Sequence, residues 1–376
     1  MNLSLSEEQL LIKASAEKFF TEKLSFEQRQ KLLNDDQNIK TTLLNVSKDL
    51  GWLALPFKNK YGGLDGSTTD VMILNEVFGS ALSIDPYIFL LLMPGKAIEL
   101  FCDNNFKSDF LKKIIDGNLR ASFCFAEPLN RFNYYAIDTK ATKKGKNFLV
   151  NGKKNLVIGG NLCSHFIIPA KDEEGNVLLF LIEKNTKNLF LKNYKTISDY
   201  HAVDIELDNI ELQNSTLISI VPLGEYKKKI DFLIDYINMC ICSDALGVIE
   251  KMYELTLTYV NTREQFGKKI GAFQVIQHKL VDMYIKKEEM RALNYMGQIS
   301  LDNDNDDLRR KNISLNKIFL ASHGKTISQD CIQLHGGMGV ANEMQIGHYF
   351  KRLTFFCTLL GNLDFYLNRY ANNNIE

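Results

Sequence analysis

The hydrophobic period of this chain changes twice, and that order limits its possible folds more than any other feature. From the start to about Leu119 apolar residues recur at helical spacing, broken at Pro56, at Tyr61-Gly62-Gly63 and at Pro86. From about Arg120 to Ile220 the pattern becomes one of short strands and turns. Phe148-Leu149-Val150 runs into Asn151-Gly152, a pair that favours a two-residue hairpin turn. Leu156-Val157-Ile158 and Phe166-Ile167-Ile168 follow, and Glu173-Glu174-Gly175-Asn176 turns into the run Val177 to Ile182. Strands at this spacing, with no helical pattern between them, predict a barrel or a small sandwich. From about Glu225 the helical period returns in long stretches. Phe273, Ile276, Leu280 and Met283 recur at three- and four-residue steps and share one buried face. Asp302 to Lys311 is polar and charged, and reads as the turn between two antiparallel helices. Further helices are expected from about Ile313 to Leu334 and from about Gln345. The order predicts an α+β protein in three domains: residues 1–119 helical, 120–224 β, and 225–376 a helical bundle.

With 376 residues, 45% of them hydrophobic, the chain has ample material for two or three cores. Lysine plus arginine is 45 and aspartate plus glutamate is 45, so the formal net charge is zero. That balance removes the electrostatic argument for nucleic acid or an anionic membrane as partner. It leaves room for a local basic pocket. Seven cysteines, an odd number at irregular spacing, fit a reducing compartment better than a disulfide framework. Cys240 and Cys242 lie in an apolar helical run and read as small hydrophobes. Met1 to Gln9 reads as a helix start, with Ser4 and Glu7 at capping-box spacing, and lacks the basic-then-apolar order of a signal peptide. The apolar run Tyr87 to Met93 is too short to span a bilayer. The expectation is a cytoplasmic chain, with no metal site assigned.

Two phrases carry the chemistry. The run Thr262 to Gln274 contains Arg263, Gln265, Phe266, Gly267, Ile270 and Phe273, and the later run Gln333 to Gly339 contains Gly336 and Gly337. Together they resemble the acyl-CoA dehydrogenase family, flavoenzymes that desaturate acyl-CoA thioesters between the α and β carbons. The resemblance implies FAD as cofactor and a fold of helical N-terminal domain, central β-barrel and C-terminal four-helix bundle. It implies that Arg263 reaches across a subunit interface to the FAD pyrophosphate. A guanidinium suits that task, being always charged and able to fork onto phosphate oxygens. Gln265, Phe266, Ile270 and Phe273 match the positions that hold the pyrophosphate and pack near the adenosine. Gln333, Gly336 and Gly337 match the loop that touches the neighbour's ADP-ribose. His335 takes a structural place in that loop.

Other parts of the family pattern are absent. Ala126-Glu127-Pro128 and Gly152 to Gly160 stand where the flavin-ring text belongs. The two threonine hydroxyls that would bond the ring are replaced at Ala126 and Ile158, and the packing tryptophan at Leu156. The reaction needs a carboxylate base to take the α proton. The resemblance places that base at Leu360 or, in other members, at Ile237, with Asn238 at an adjoining arginine position. Asp235, Asp244 and Asp364 are the nearby carboxylates in sequence. The tail, from Gly347 to Arg352 and from Leu359 to Asp364, resembles the small subunit of pimeloyl-CoA dehydrogenases and related two-subunit enzymes. Asn362 stands where those relatives often carry an aspartate.

Four readings follow from this mixture. One is a subunit that donates Arg263 and Gln333 to the FAD of a homologous partner, which supplies the base. The others are an active homo-oligomer, such as a homo-tetramer, with an unusual base; a flavin monooxygenase-like relative; and a non-enzymatic binding or scaffold protein. The resemblance implies an acyl-CoA substrate in fatty acid metabolism and electron-transferring flavoprotein as acceptor.

Overall fold

The structure is a computed structural model that describes residues 5–33 and 35–372, with the backbone alone for 36–42. Its first helices are α1 (Glu7–Lys23), α2 (Phe26–Leu32), α3 (Asp36–Asp49), α4 (Thr68–Ser80), α5 (Met93–Phe101) and α6 (Asn104–Ile115). The cap of α1 is Ser6, whose hydroxyl accepts from the Gln9 N–H at 3.2 Å while Gln9 Oε1 accepts from the Ser6 N–H at 3.0 Å. The capping box therefore lies two residues beyond the expected Ser4–Glu7 pair. Ser4 is outside the described residues, and Glu7 opens the first turn, where its charge suits the helix's positive end. The expected breaks are real: Gly62, at φ +89°, ends a short 3-10 turn, and Pro86 precedes a π-helical turn, Ile88–Leu92, that feeds α5.

Eight strands follow: β1 (Ala121–Phe123), β2 (Lys140–Lys144), β3 (Asn147–Ile158), β4 (His165–Lys171), β5 (Val177–Glu183), β6 (Leu189–Lys195), β7 (His201–Leu212) and β8 (Leu217–Val221). They form one sheet in the order β6-β7-β3-β2-β4-β5-β8, with β1 parallel to β4, and the pairing ends at β6 and β8. Asn151-Gly152 does not make the expected hairpin turn. β3 runs through both residues, and its register against β7 shifts between Val150 and Gly152. Asn151 Oδ1 accepts from the Asn209 N–H at 2.7 Å, and a Cβ on Gly152 would lie 2.4 Å from Thr139 Oγ1. The dipeptide serves a bulge and a close approach instead of a turn.

Helices resume with α7 (Leu223–Thr262), followed by a two-stranded ribbon, β9 (Glu264–Gln265) and β10 (Lys268–Lys269). Then come α8 (Gln274–Leu301), α9 (Asp306–Phe319), α10 (Lys325–His335), α11 (Gln345–Phe356) and α12 (Leu363–Asn372). On α8 Leu280 and Met283 are buried and Phe273 and Ile276 half-buried, the face the spacing predicts. The polar stretch from Asp302 is a turn only as far as Asn305, which caps α9 by accepting from the Leu308 N–H at 2.9 Å. Asp306 and Asp307 then sit in the first turn, where negative charge favours a helix. A π-helical turn, Leu320–Gly324, joins α9 to α10. α7 contains an 18-residue window of mean hydropathy 1.6, long enough to cross a bilayer, but 94% of that window is buried within the protein.

Contacts group the chain into two compact units, one of residues 1–31, 68–83 and 238–376 and one of 32–67 and 84–237. In the first, α4 crosses α7 at backbone contact. A Cβ on Gly247 would fall 1.8 Å from the Glu76 carbonyl oxygen, and one on Gly79 1.9 Å from that of Asp244. Nearby, Arg352 pairs with Asp244 and donates to the Ser83 carbonyl at 2.7 Å. In the second unit Arg120 pairs with Asp85, and the Tyr87 hydroxyl donates to the Trp52 carbonyl at 2.6 Å.

Candidate functional site

The first phrase folds as an arm. The Arg263 N–H donates to the Tyr259 carbonyl at 2.9 Å, and the Ile270 N–H closes back on the Arg263 carbonyl at 2.9 Å. Between them Gln265 pairs with Lys268 around a two-residue turn, Phe266-Gly267, with φ +56° and +78°. Two successive left-handed residues are what a type I′ turn requires. Arg263, Gln265, Lys268 and Lys269 are exposed, and Ile270 and Phe273 are half-buried at the base. Phe266 is 91% exposed and meets Phe273 edge to face at 6.3 Å between ring centres. The Lys268 ammonium sits 4.2 Å over the Phe273 ring. Three cations and an unburied aromatic ring on one small arm suit a phosphate-bearing, ring-bearing ligand or a second chain.

The second phrase ends α10. Gly336 has φ +59° and ψ −142°, a region essentially reserved for glycine. A Cβ on Gly336 or Gly337 would meet nothing within 4 Å, so this backbone is open to approach, with Gln333 exposed beside it. The two phrases share a side: the Tyr259 ring stacks on His335 at 4.4 Å between centres, and a groove of about 1250 Å³ opens beside them, past Thr262, Met344 and Ile346. His335 is buried, its Nδ1 lies 2.8 Å from the Cys331 carbonyl, and burial pulls its imidazole below the ordinary histidine range. It is a packing histidine, as its loop position suggests. Among the described residues no group of three His, Cys, Asp or Glu side chains could hold a metal, and all seven cysteines are buried and unbridged.

The flavin-ring text lies on β3 and before it. Glu127 is buried and fully engaged: Oε1 accepts from Lys154 Nζ at 2.6 Å and Thr139 Oγ1 at 2.6 Å, and Oε2 from the Asp138 N–H at 2.6 Å. Burial would raise its pKa, but the Lys154 ammonium and these donors outweigh that and hold it below the usual carboxylate value. Leu156 adopts φ +51°, with its N–H on Asp204 at 3.1 Å, and Ile158 is buried. Ala126, Leu156 and Ile158 offer no side-chain hydrogen bond. A nucleotide therefore fits the exposed arm and glycine loop, while the two hydroxyl contacts to a flavin ring have no source in these side chains.

The two positions where the resemblance places a base are packed shut. Leu360 is 8% exposed and holds φ +55° before Gly361 at φ +125°. Its carbonyl accepts from the Tyr366 hydroxyl, whose oxygen accepts from Asn238 Nδ2 at 2.6 Å. That donor fixes the amide orientation and leaves Asn238 Oδ1 buried without a partner. Lys317, also buried, donates to the Phe356 carbonyl at 2.9 Å and the Leu359 carbonyl at 2.8 Å, and burial pulls its ammonium below the usual lysine range. Ile237 is fully buried. Of the nearby carboxylates, Asp244 is committed to Arg352, Asp364 is exposed in the first turn of α12, and Asp235 is buried on α7. Asn362 caps α12, accepting from the Phe365 N–H at 3.0 Å. Sequence reasoning missed Lys317 and Tyr366. The signal for Lys317 was there: it falls four residues after Ile313 and three before Leu320, on the buried stripe of α9.

Two family models match, the acyl-CoA dehydrogenase N-terminal domain over residues 6–118 and the acyl-CoA dehydrogenase C-terminal domain over residues 233–373. The chain belongs to the acyl-CoA dehydrogenase family. That is a family of oxidoreductases acting on CH–CH bonds with FAD as cofactor. The short/branched chain specific acyl-CoA dehydrogenase of Bos taurus is 22% identical, covering 98% of this chain and 86% of its own. Among solved structures, the ChsE4-ChsE5 complex from Mycobacterium tuberculosis superposes with a TM-score of 0.88 at 18% identity, covering 100% of this chain and 99% of that one. A glutaryl-CoA dehydrogenase from Mycobacterium smegmatis in complex with FADH2 gives a TM-score of 0.88 at 20% identity, covering 99% and 95%. The acyl-CoA dehydrogenase fold, α+β with a helical N-terminal part, then a sheet, then a helical C-terminal part along the chain, agrees with the order of hydrophobic periods.

Proposed function

We propose that this chain is one subunit of a two-chain acyl-CoA dehydrogenase. It lends Arg263, Gln265 and the Gln333–Gly337 loop to FAD held by a homologous partner, and the partner supplies the carboxylate base. The observation that carries this reading is the base turn, where Leu360, Tyr366 and Asn238 form a closed, buried set with no carboxylate among them. FAD, when bound, accepts a hydride from the β carbon of the acyl thioester. Arg263 would counter the pyrophosphate charge, and Phe266 and Phe273 would pack near the adenosine. Support also comes from α8, where Val281, Ile285, Met296 and Ile299 are exposed apolar side chains at helical spacing, suited to a second helical chain. One relative in fold is itself a complex of two chains. The substrate class is an acyl-CoA, the acceptor electron-transferring flavoprotein, the compartment the cytoplasm, and the whole assembly a tetramer.

The test is to purify the chain alone and with a co-expressed homologue, then measure bound flavin and its bleaching by acyl-CoAs. The proposal expects flavin and bleaching only in the pair. Full flavin occupancy with rapid bleaching by the isolated chain overturns it. In the pair, Arg263→Ala removes a charge-assisted contact worth about 1.5–3 kcal/mol, so flavin dissociation constants should rise by roughly 10- to 150-fold. Unchanged retention would remove Arg263 from the cofactor site.

A further inference from the structure

Away from the arm and the base turn, a cavity of about 520 Å³ opens among α1, α4, α7 and α11. Its walls include Lys13, Phe20, Glu76, Val77, Glu250 and Tyr349. The size falls within the range of small-molecule sites, about 300–1,000 Å³. The glycine-mediated crossing of α4 on α7 sets its floor, because it brings Glu76 and Glu250 onto helices whose backbones touch.

Half of the charged groups lining this cavity are already matched. Glu250 pairs with Arg291, which also takes Glu288 at 2.6 Å, and Glu254 pairs with Lys251 at 2.9 Å. The Tyr349 hydroxyl donates to the Ser80 carbonyl. Glu76 makes no hydrogen bond or ion pair among the described residues. Of the wall's charged groups this leaves Glu17 and Glu76 against Lys13, an excess of one negative charge once Glu76 ionises, beside the rings of Phe20 and Tyr349.

We propose that this cavity binds a small organic ammonium ion, with its cation against Glu76 and its apolar body over Phe20 and Val77. A cation there neutralises the unmatched carboxylate and can also lie on an aromatic face. Burial, and then Glu250, hold the Glu76 carboxyl up to about 8, against the pull of Lys13 and Arg291. The charged or titratable groups facing it are Lys13 and Glu17 on α1, Glu250, Lys251 and Glu254 on α7, Glu288, Arg291 and Tyr295 on α8, and Tyr349 on α11. Binding of a cation therefore expels the Glu76 proton, and affinity weakens as pH falls. The site is independent of the flavin assignment.

Calorimetric titration of the full chain with 2-phenylethylammonium chloride tests this, with 2-phenylethanol as the neutral analogue. The expected result is binding of the ammonium but not the alcohol, with affinity falling about tenfold for each pH unit below 8. Glu76→Gln should weaken binding at pH 8 by about tenfold or more and abolish the pH slope, whereas Lys13→Ala, compared with wild type at about pH 9 where the carboxyl is largely ionised, should tighten binding by removing a competing cation. Equal affinity for the alcohol, no heat at millimolar ammonium, or a Lys13→Ala variant that binds more weakly would each overturn the proposal. The Lys13 arm decides the matter even where Glu76→Gln fails to fold.

Discussion

Glu127 gathers Lys154, Thr139 and the Asp138 N–H around one buried carboxylate, so its removal strands a buried ammonium. Breaking such a pair from one side costs about 3–5 kcal/mol. Glu127→Gln should lower the melting temperature at pH 7 accordingly, as read by circular dichroism. Because its folded pKa is depressed, the stability it contributes is present above the unfolded value of about 4.3 and lost as pH falls through the folded value. The gap between wild type and variant should therefore narrow in melts taken from pH 6 down to 3. Glu76 has the opposite sign. Its raised folded value means that stability present below the unfolded pKa is lost as pH rises toward about 8. Glu76→Gln should raise the melting temperature at pH 8 and change it little at pH 4; an equal shift at both would remove the carboxyl's ionisation as the cause.

At the scale of elements, the sequence carried a hairpin signal at Asn151-Gly152 and none at Phe266-Gly267, yet the two-residue turn forms at the second. Phenylalanine has no local preference for φ +56°, so pairing of Gln265 with Lys268 and closure of Ile270 onto Arg263 must impose it. A backbone held there by its flanks, with its ring in solvent, has little to contribute within its own chain. Phe266→Ala should leave the isolated chain's melting within about 0.5 kcal/mol of wild type and, on the proposed two-chain reading, weaken assembly with a co-expressed homologue, measured by analytical ultracentrifugation of the pair. A large loss of monomer stability would instead place the ring in this chain's own packing. The N-cap at Ser6 and the early start of α9 at Asp306 were misplaced for a related reason. Caps and acidic first turns satisfy the same local pattern at several nearby offsets, and only packing selects one.

Over the whole molecule, the succession of helical, strand and helical periods was legible because each segment must bury one face. The residues of the proposed cofactor arm stood together as a phrase, from Arg263 to Phe273, and the structure lays them along one arm. What the sequence could not display was the assembly of Asn238, Tyr366 and Leu360, separated by 128 and 6 residues yet linked by hydrogen bonds. Nor could it display that Glu76 lies opposite Gly247. Both depend on helix crossings, and a crossing has no local signature beyond an unremarkable glycine.

An uncovered ring at the tip of a projecting arm also bears on how the chain must be produced. Phe266, with Val281, Ile285 and Ile299 along α8, is surface that water solvates poorly. On the proposed two-chain reading, copies made in excess of the partner would carry that surface uncapped, open to precipitation and proteolysis. Matched synthesis of the two chains would then keep it covered.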